Sequence, residues 1–514
     1  MKFCTAAEMR LLDEKTISEC GLPGAVLMEN AGRGAAVLTR EHFGDLAGQN
    51  VAVVCGRGNN GGDGYVIARI FHGWGAFVRI FLLSDPERVG GDARINLDVA
   101  LKMGLEIIEI REESHLERFD LSGVNLAVDA ILGTGLNSEV RGLYRGVIER
   151  LNQAGMPIVA VDVPSGLDSD TGRILGVAVR AALTVTFGLP KAGLLLPPGE
   201  NQAGCLEVVD IGIPPHVLAE ADPGKELLLE DNLKGLLSPR ARDGHKGHYG
   251  HVLVVAGSTG KTGAAALTAL AAARSGAGLT TLAVPAGLNS IVEEKVTEVM
   301  TEPLPESEPG FLAAEALDRV LELAEGKSVL ALGPGLSSRP GAVALVTALV
   351  EKTELPLVID ADGLNALAGT PDILKKARRE VVLTPHPGEM SRLTGLSTAE
   401  IQADRLGVAC NFAQTYGVVL TLKGYRTVVA APDGRLFLNT TGGPHMASGG
   451  MGDVLTGIAA GLVSQGLSPL DAARLGVFVH GLAADQAAAA EGRVGLLASD
   501  LAARLPKLWE RFVA

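Results

Sequence analysis

Aromatic side chains make up only 4% of the 514 residues, and just two of them are tryptophans. So few rings leave little material for a base-stacking platform. Basic residues are also in deficit: 45 Lys and Arg stand against 59 Asp and Glu, a net charge of −14, with no cluster of positive charge anywhere. Nucleic-acid surfaces need such clusters to neutralise phosphates, so DNA and RNA are not expected as partners. The five cysteines (Cys4, Cys20, Cys55, Cys205 and Cys410) are scattered and odd in number. They suit neither a disulfide framework nor a zinc site, and a reduced, cytoplasmic setting is expected. Apolar runs such as AAALTALAAA are broken well short of a bilayer span, and the opening MKFCTAAEMRLLDEK lacks the apolar centre of a secretory leader. No membrane association is expected.

What the chain does have is glycine (66 residues), alanine, and an ordinary balance of 47% hydrophobic to 20% charged residues. Its length exceeds what one core usually serves, so two domains are expected. Short β-branched runs alternate with Ala- and Leu-rich stretches throughout. The strand-like runs are residues 51–55, 76–83, 125–132, 156–163 and 181–187, then 251–257, 279–284, 328–333, 355–360, 380–385 and 418–424. Apolar strands separated by helical segments predict parallel sheets covered on both faces, with ligands beyond the carboxyl ends of the strands. The Pro-rich stretch between the two series shows no convincing strand before His251 and holds the domain boundary.

In the first half, VAVVC runs into GRGNNGGDGY (56–65), where Gly56, Gly58 and Gly61 fit the dinucleotide loop pattern G-x-G-x-x-G. Alone, a tight strand–helix turn reads as well. Asp63 argues against a plain phosphate cradle. A carboxylate about 5 Å from a phosphate charge, at an effective dielectric of roughly 20, costs on the order of 3 kcal/mol. Asn59 and Asn60 add amide oxygens, and VDAILGTGLN and VDVPSGLDSDTG bring Asp129, Asp162 and Ser165 to other strand ends. Such oxygens suit a hard cation, although each acid alone reads more simply as a cap or turn former.

In the second half, VVAGSTGKTGAAAL contains Gly-Lys-Thr, but Val255 stands where a P-loop needs its first glycine, so that motif is rejected. GGPHMASGGMGDVLTGIAAGL is more informative. Gly449, Gly450 and Gly452 can converge their N–H groups on an anion at a helix start, with Asp453 placed to take a hydroxyl proton. A helix cap is the plainer use of Asp453. ALGPGL, VIDADGLNAL, TPHPGEMSRLTG and LKGYRTVV complete the set, with His386 on a Pro-flanked loop and Lys423-Gly424 ending a strand.

Taken together, the loops of the first half, preceded by LMENAGRGAA, resemble the epimerase domain of the bifunctional NAD(P)H-hydrate repair enzymes. Those of the second half resemble the dehydratase domain of the same family. The resemblance implies an α/β chain, with a Rossmann-like three-layer αβα domain over 1–220 and a ribokinase-like α/β domain over 225–514. It implies exchange of the R and S epimers of hydrated NADH or NADPH in the first domain. In the second, it implies dehydration of the S epimer at the expense of ADP (ATP in some members), giving AMP and phosphate. Carried over, the hydrated nucleotide would meet Asn59, Asn60, Gly61, Gly62, Asp63, Gly133, Thr134, Gly135, Leu136, Asn137, Ser138, Glu139 and Asp162, with Asp162 as general base. K⁺ would be held by Asn60, Asp129 and Ser165. The dehydratase substrate would meet Ala264, Gly335, His386 and the catalytic Asp453. ADP would meet Lys423, Gly424, Tyr425, Arg426, Thr427 and Gly452, with Mg²⁺ assisting. A homo-oligomer is expected. Two departures from the family pattern stand out. Met451 replaces the usual Thr of Thr-Gly-Gly-Thr-Gly-Asp, and Tyr425-Arg426 form a bulky continuation of Lys423-Gly424. A ribokinase-type vitamin kinase accounts for the second half but not the first, and a catalytically idle nucleotide-binding scaffold accounts for neither set of acids.

Overall fold

The computed structural model describes residues 1–514. The chain forms two compact units, Lys2–Pro223 and Gly224–Ala514 together with Met1. No helix is long and apolar enough to cross a membrane.

The first unit is built on seven strands: β1 (Asn50–Cys55), β2 (Phe77–Leu82), β3 (Glu106–Glu109), β4 (Leu126–Ala130), β5 (Ile158–Val161), β6 (Leu183–Phe187) and β7 (Cys205–Val209). Their order is β3-β2-β1-β4-β5-β6-β7, and every neighbouring pair is parallel. Side chains alternate across the sheet. Val51, Val53 and Cys55 of β1 pack with helices Ala6–Ser18, Gly24–Phe43, Asn59–Gly73 and Gly91–Lys102. Ala52 and Val54 pack into a separate core with helix Gly142–Gln153. Two cores on one sheet make the three αβα layers of a Rossmann-like domain. β3 and β7, absent from the expected strands, are edge strands whose half-exposed residues include glutamates, so neither reads as an apolar run.

The glycine loop after β1 differs from a simple turn. Helix Asn59–Gly73 starts at Asn59, so the whole of NNGGDG is already helical. A Cβ on Gly61 would lie 2.0 Å from the Gly56 carbonyl oxygen, and one on Gly64 2.6 Å from the Ala130 Cβ. These glycines are needed for close approach of helix to strand ends, not for unusual torsions.

The second unit holds β8 (Lys225–Leu228), β9 (His251–Val255), β10 (Leu279–Pro285), β11 (Met300–Leu304), β12 (Glu306–Glu308), β13 (Phe311–Leu312), β14 (Val329–Leu332), β15 (Leu357–Ile359), β16 (Val381–Leu383), β17 (Val419–Leu422), β18 (Val428–Ala430) and β19 (Leu436–Asn439). β12 and β13 form a separate hairpin; the other ten make one sheet, in the order β11-β10-β9-β14-β15-β16-β17-β18-β19-β8. Two expectations are corrected here. β8 is a strand before His251; at four residues with two charges it carries too little pattern to be seen. The sheet is also not wholly parallel, because β18 runs antiparallel to β17 and β19. Only residues 423–427 and 431–435 join these strands, and a parallel return needs a crossover of a dozen residues or more.

Alanine and glycine abundance has its use on one face of this sheet. Helices Thr262–Arg274 and Met451–Ser464 pack backbone to backbone there, over Val252, Val254 and Val329. A Cβ on Gly457 would stand 2.2 Å from the Thr268 carbonyl oxygen, and one on Gly461 2.7 Å from that of Ala272. Gly457→Ala should therefore destabilise the second unit by about 1–3 kcal/mol in urea unfolding. Gly263→Ala, where nothing lies within 4 Å, should be neutral or stabilising by about 0.5–1 kcal/mol.

Candidate active sites

In the first unit the strand order reverses between β1 and β4, so the chain leaves these neighbours in opposite directions and opens a crevice at their carboxyl ends. A cavity of about 740 Å³ lies there. Of the residues expected at the nucleotide, Asn59, Asn60, Asp63, Gly133, Thr134, Gly135, Leu136, Asn137, Ser138 and Asp162 line it. Gly61 and Gly62 are buried in the helix behind the wall, where a Cβ on Gly62 would meet Met28 at 2.6 Å. Glu139 is exposed, does not line the cavity, and pairs with Arg141 at 2.9 Å.

Asp129, at the end of β4, is wholly buried. Its carboxylate accepts hydrogen bonds from the Ser165 hydroxyl (2.6 Å) and N–H (2.8 Å), and from the Ile131 N–H (3.3 Å). The Leu132 N–H donates in turn to the Ser165 hydroxyl at 2.8 Å. Burial lifts the Asp129 carboxyl to about 6, against the pull of these donors. Asn60 packs on Gly133, and its Nδ2 is buried without a hydrogen-bond partner. Turned over, the same amide would present an acceptor oxygen at that spot.

Asp162 follows β5 with φ of +65°, a left-handed conformation that aims its carboxylate into the cavity wall. One oxygen accepts from Lys191 Nζ at 2.5 Å and from the Thr186 hydroxyl at 3.0 Å. Lys191 is 1% exposed, and its ammonium also donates to the Phe187 carbonyl at 2.8 Å. Three further acids, Asp13, Asp63 and Asp92, line the same cavity. Burial, reinforced by Asp162, pushes the Asp63 carboxyl well above the usual range. Asp13 is lifted to about 6, mainly by burial. Sequence reasoning did not single out Lys191 or Asp13. Lys191 leaves a trace, a solitary cation in the apolar run GLPKAGLLLPP, where a charge must find a partner. Asp13, within the charged segment EMRLLDEK, leaves none.

In the second unit the corresponding rim centres on Lys423, just after β17. Its ammonium lies 2.6 Å from Asp360 and 3.7 Å from Glu389. The other Asp360 oxygen accepts from the Thr456 hydroxyl at 2.9 Å. Asp453 stands in the first turn of helix Met451–Ser464 and is only partly buried. Burial, and then the Asp360 charge, lift its carboxyl to about 7 despite Lys423. Gly452 fits between, since a Cβ there would lie 3.2 Å from Lys423 Nζ and 3.3 Å from Asp360. Gly450 caps the helix in the left-handed conformation, at φ of +91°. The first intrahelical bond runs from the Val454 N–H, leaving the N–H groups before it at the positive end of the helix for an anion.

Gly335 and Ala264 are neighbours, a Cβ on Gly335 falling 3.3 Å from that of Ala264. Lys261 of the Gly-Lys-Thr run bonds Asp362 at 2.8 Å. His386 caps helix Pro387–Thr394, Nδ1 accepting from the Gly388 N–H at 2.9 Å, so its exposed ring has one nitrogen committed. The segment from Lys423 to Thr427 is wound around Arg405, a buried residue that sequence reasoning passed over. The Arg405 guanidinium donates to the Leu422 carbonyl at 3.1 Å and the Arg426 carbonyl at 3.4 Å. Within it, Gly424 and Arg426 take positive φ, Thr427 donates to the Gly424 carbonyl at 2.9 Å, and Tyr425 is half exposed.

Two acid-bearing strand rims, one beside a cavity and one beside a helix N-terminus, define a two-site α/β enzyme. A family model described as NAD(P)H-hydrate dehydratase matches residues 252–507, and one described as YjeF-related protein N-terminus matches residues 24–193. The bifunctional NAD(P)H-hydrate repair enzyme of Moorella thermoacetica is 48% identical over 509 residues, covering 98% of this chain and 96% of its own. That of Escherichia coli is 37% identical, covering 98% of this chain and 93% of its own. The chain belongs to the family of bifunctional NAD(P)H-hydrate repair enzymes. Among solved structures, the ADP/ATP-dependent NAD(P)H-hydrate dehydratase of Bacillus subtilis, crystallised with ATP and Mg²⁺, is 32% identical. It covers 56% of this chain and 98% of its own, with a TM-score of 0.48.

The Asp162–Lys191 pair gives a direct test of the first site. Lys191→Met leaves a shielded carboxylate without its cation and should cost about 3–5 kcal/mol in denaturant unfolding. Adding Asp162→Asn to it should recover part of that loss; a Lys191→Met chain as stable as the parent would contradict the pairing.

Proposed function

We propose that this chain repairs hydrated nicotinamide nucleotides. The first unit exchanges the R and S epimers of hydrated NADH or NADPH, and the second dehydrates the S epimer with a nucleotide phosphoryl donor, taken to be ADP. The observation that carries the reading is the 48% identity to a bifunctional repair enzyme across 98% of the chain, spanning both sites.

In the first unit the cavity walls suit a large ligand with polar ends, and Asp162 is the residue we assign to proton removal. Asn60, Asp129 and Ser165 fit a monovalent cation: a buried carboxylate, a hydroxyl and an amide without a partner are hard donors whose net charge such an ion would balance. Bound there, K⁺ would neutralise Asp129 and steady the loop after β4.

In the second unit Asp453 accepts the substrate hydroxyl proton as that oxygen attacks the terminal phosphorus of the donor. The free N–H groups around Gly452 face the charge that develops on the phosphoryl oxygens. The bond between phosphorus and the donor's bridging oxygen breaks, leaving AMP when the donor is ADP. Phosphate then departs with the C–O bonding pair, the adjacent carbon loses a proton, and the double bond of the reduced nicotinamide is restored. Lys423 keeps Asp360 and Glu389 compensated beside this chemistry. With those two acids engaged, Mg²⁺ would arrive on the nucleotide phosphates, which suits its reluctance to shed water. A cytoplasmic location, supported by five free thiols, and a homo-oligomeric assembly belong to the same proposal.

Incubation with separated epimers tests the reading. The parent chain should convert both to NAD(P)H when ADP is supplied, Asp162→Asn should consume only S, and Asp453→Asn should lose about 100-fold or more in dehydration rate. As a base Asp453 must be ionised, so dehydration should rise with pH through about 7 and then level off. Failure of the parent to consume S with either ADP or ATP would refute the reading. Separately, K⁺ should raise the melting temperature of the first unit, and Asp129→Asn should abolish that rise.

A further inference from the structure

Asp13 is not engaged by the mechanism above, yet it lies on the wall of the same cavity, on helix Ala6–Ser18. Its Oδ1 is buried and has no hydrogen-bond partner. Its surroundings are mixed in charge. Lys191 draws it toward ionisation, while Asp162 and its own helix neighbour Glu14 oppose that. Asp63, on helix Asn59–Gly73, feels the Asp13 charge in turn. Arg10, Arg57 and Asp92 complete the charged groups around the cavity. An acid in this position differs from Asp162 in one respect: Asp162 accepts hydrogen bonds from Lys191, Thr186 and the Phe187 N–H. No such donor reaches Asp13 Oδ1, and burial favours its protonated form.

The chemistry of the proposed substrate calls for both kinds of acid. Water adds to the enamine double bond of a dihydronicotinamide at the carbon next to the ring nitrogen, so the hydrated carbon carries nitrogen and hydroxyl together. Its configuration inverts if the hydroxyl leaves and water returns to the other face. Departure needs a proton donor and return needs a proton acceptor.

Resting on the epimerase reading above, we propose that Asp13 is the second catalytic residue of the first site, donating a proton to the departing hydroxyl while Asp162 receives one from the incoming water. In the forward step the C–O bond breaks with its electron pair going to oxygen, which takes the Asp13 proton and becomes water. The nitrogen lone pair forms a C=N⁺ bond. A water molecule then adds to the opposite face of that carbon, the C=N⁺ pair returns to nitrogen, and Asp162 takes the released proton. Proton exchange with solvent resets both carboxyls, and no oxidant or reductant is consumed.

Two measurements on the full chain test this. In ¹⁸O-labelled water, label should enter the hydroxyl of a single starting epimer at the rate of epimer exchange. Asp13→Asn should lower both rates together by about 100-fold, in kcat rather than KM, with the melting temperature unchanged. The parent should show a limb of activity that falls as pH rises through about 6, when Asp13 loses its proton; Asp13→Asn should lack it and Asp13→Glu should restore it. Epimer exchange at the parental rate in Asp13→Asn, or exchange without label entry in the parent, would overturn the role of Asp13. So would a parental profile with no falling limb, a result that stands even if Asp13→Asn fails to fold. A parent chain that exchanges no epimers above the uncatalysed rate would instead refute the epimerase reading itself.

Discussion

A lysine that is 1% exposed holds Asp162 across 2.5 Å in the first unit, and in the second an ammonium bridges Asp360 and Glu389 beside Asp453. Both arrangements answer one constraint. A carboxylate drawn out of water must be given a cation, a set of N–H and O–H donors, or a proton. Which of the three it receives decides what it can do. Asp162 and Asp360 receive ammonium groups, Asp129 receives the donors of Ser165 and Ile131, and Asp453 is left with little beyond Lys423 and holds its proton up to about 7. An acid poised near neutrality is what proton transfer at a hydroxyl requires.

The sheets make that constraint unavoidable. Parallel strands covered on both faces have solvent access only at their ends, so polar residues placed there are half withdrawn from water by construction. In the first unit the reversal of strand order between β1 and β4 widens this rim into a cavity, and in the second the helix that begins at Met451 closes it with free N–H groups. Glycine gives the required proximity. Gly61 admits the Gly56 carbonyl, Gly452 leaves room for Lys423, and Gly457 seats one helix on another. The same residues that resemble nucleotide-loop punctuation in the sequence are therefore packing residues in the fold.

The central strands β1, β4, β5, β9, β14 and β17 are legible in the amino-acid sequence because burial on both faces leaves them predominantly apolar. The edges are not: β3, β7 and β8 are short and half exposed, and exposed positions carry no hydrophobic signature. The antiparallel turn-backs of β18 and β19 follow from loop length, a signal present in the chain but masked by the expectation of continued βα alternation. At the sites, loop motifs identify the residues on the rims, but partners from distant segments escape. Lys191 reaches Asp162, and Arg405 the segment after β17, across gaps in sequence that no local pattern spans, and Asp13 joins the cavity wall from the first helix. Glu139, at the end of the segment that begins at Gly133, is exposed and pairs with Arg141 rather than lining the cavity.

The protonation state of Asp453 is the most direct measure of the account, because it reports burial and charge together at the position where chemistry is assigned. Carboxyl ¹³C NMR of aspartate-labelled protein, assigned by loss of the signal in Asp453→Asn, follows it through a pH titration. A midpoint at about 7 is the result the structure predicts. A midpoint near the ordinary aspartate value of about 3.9 would show the carboxylate well solvated and contradict the account.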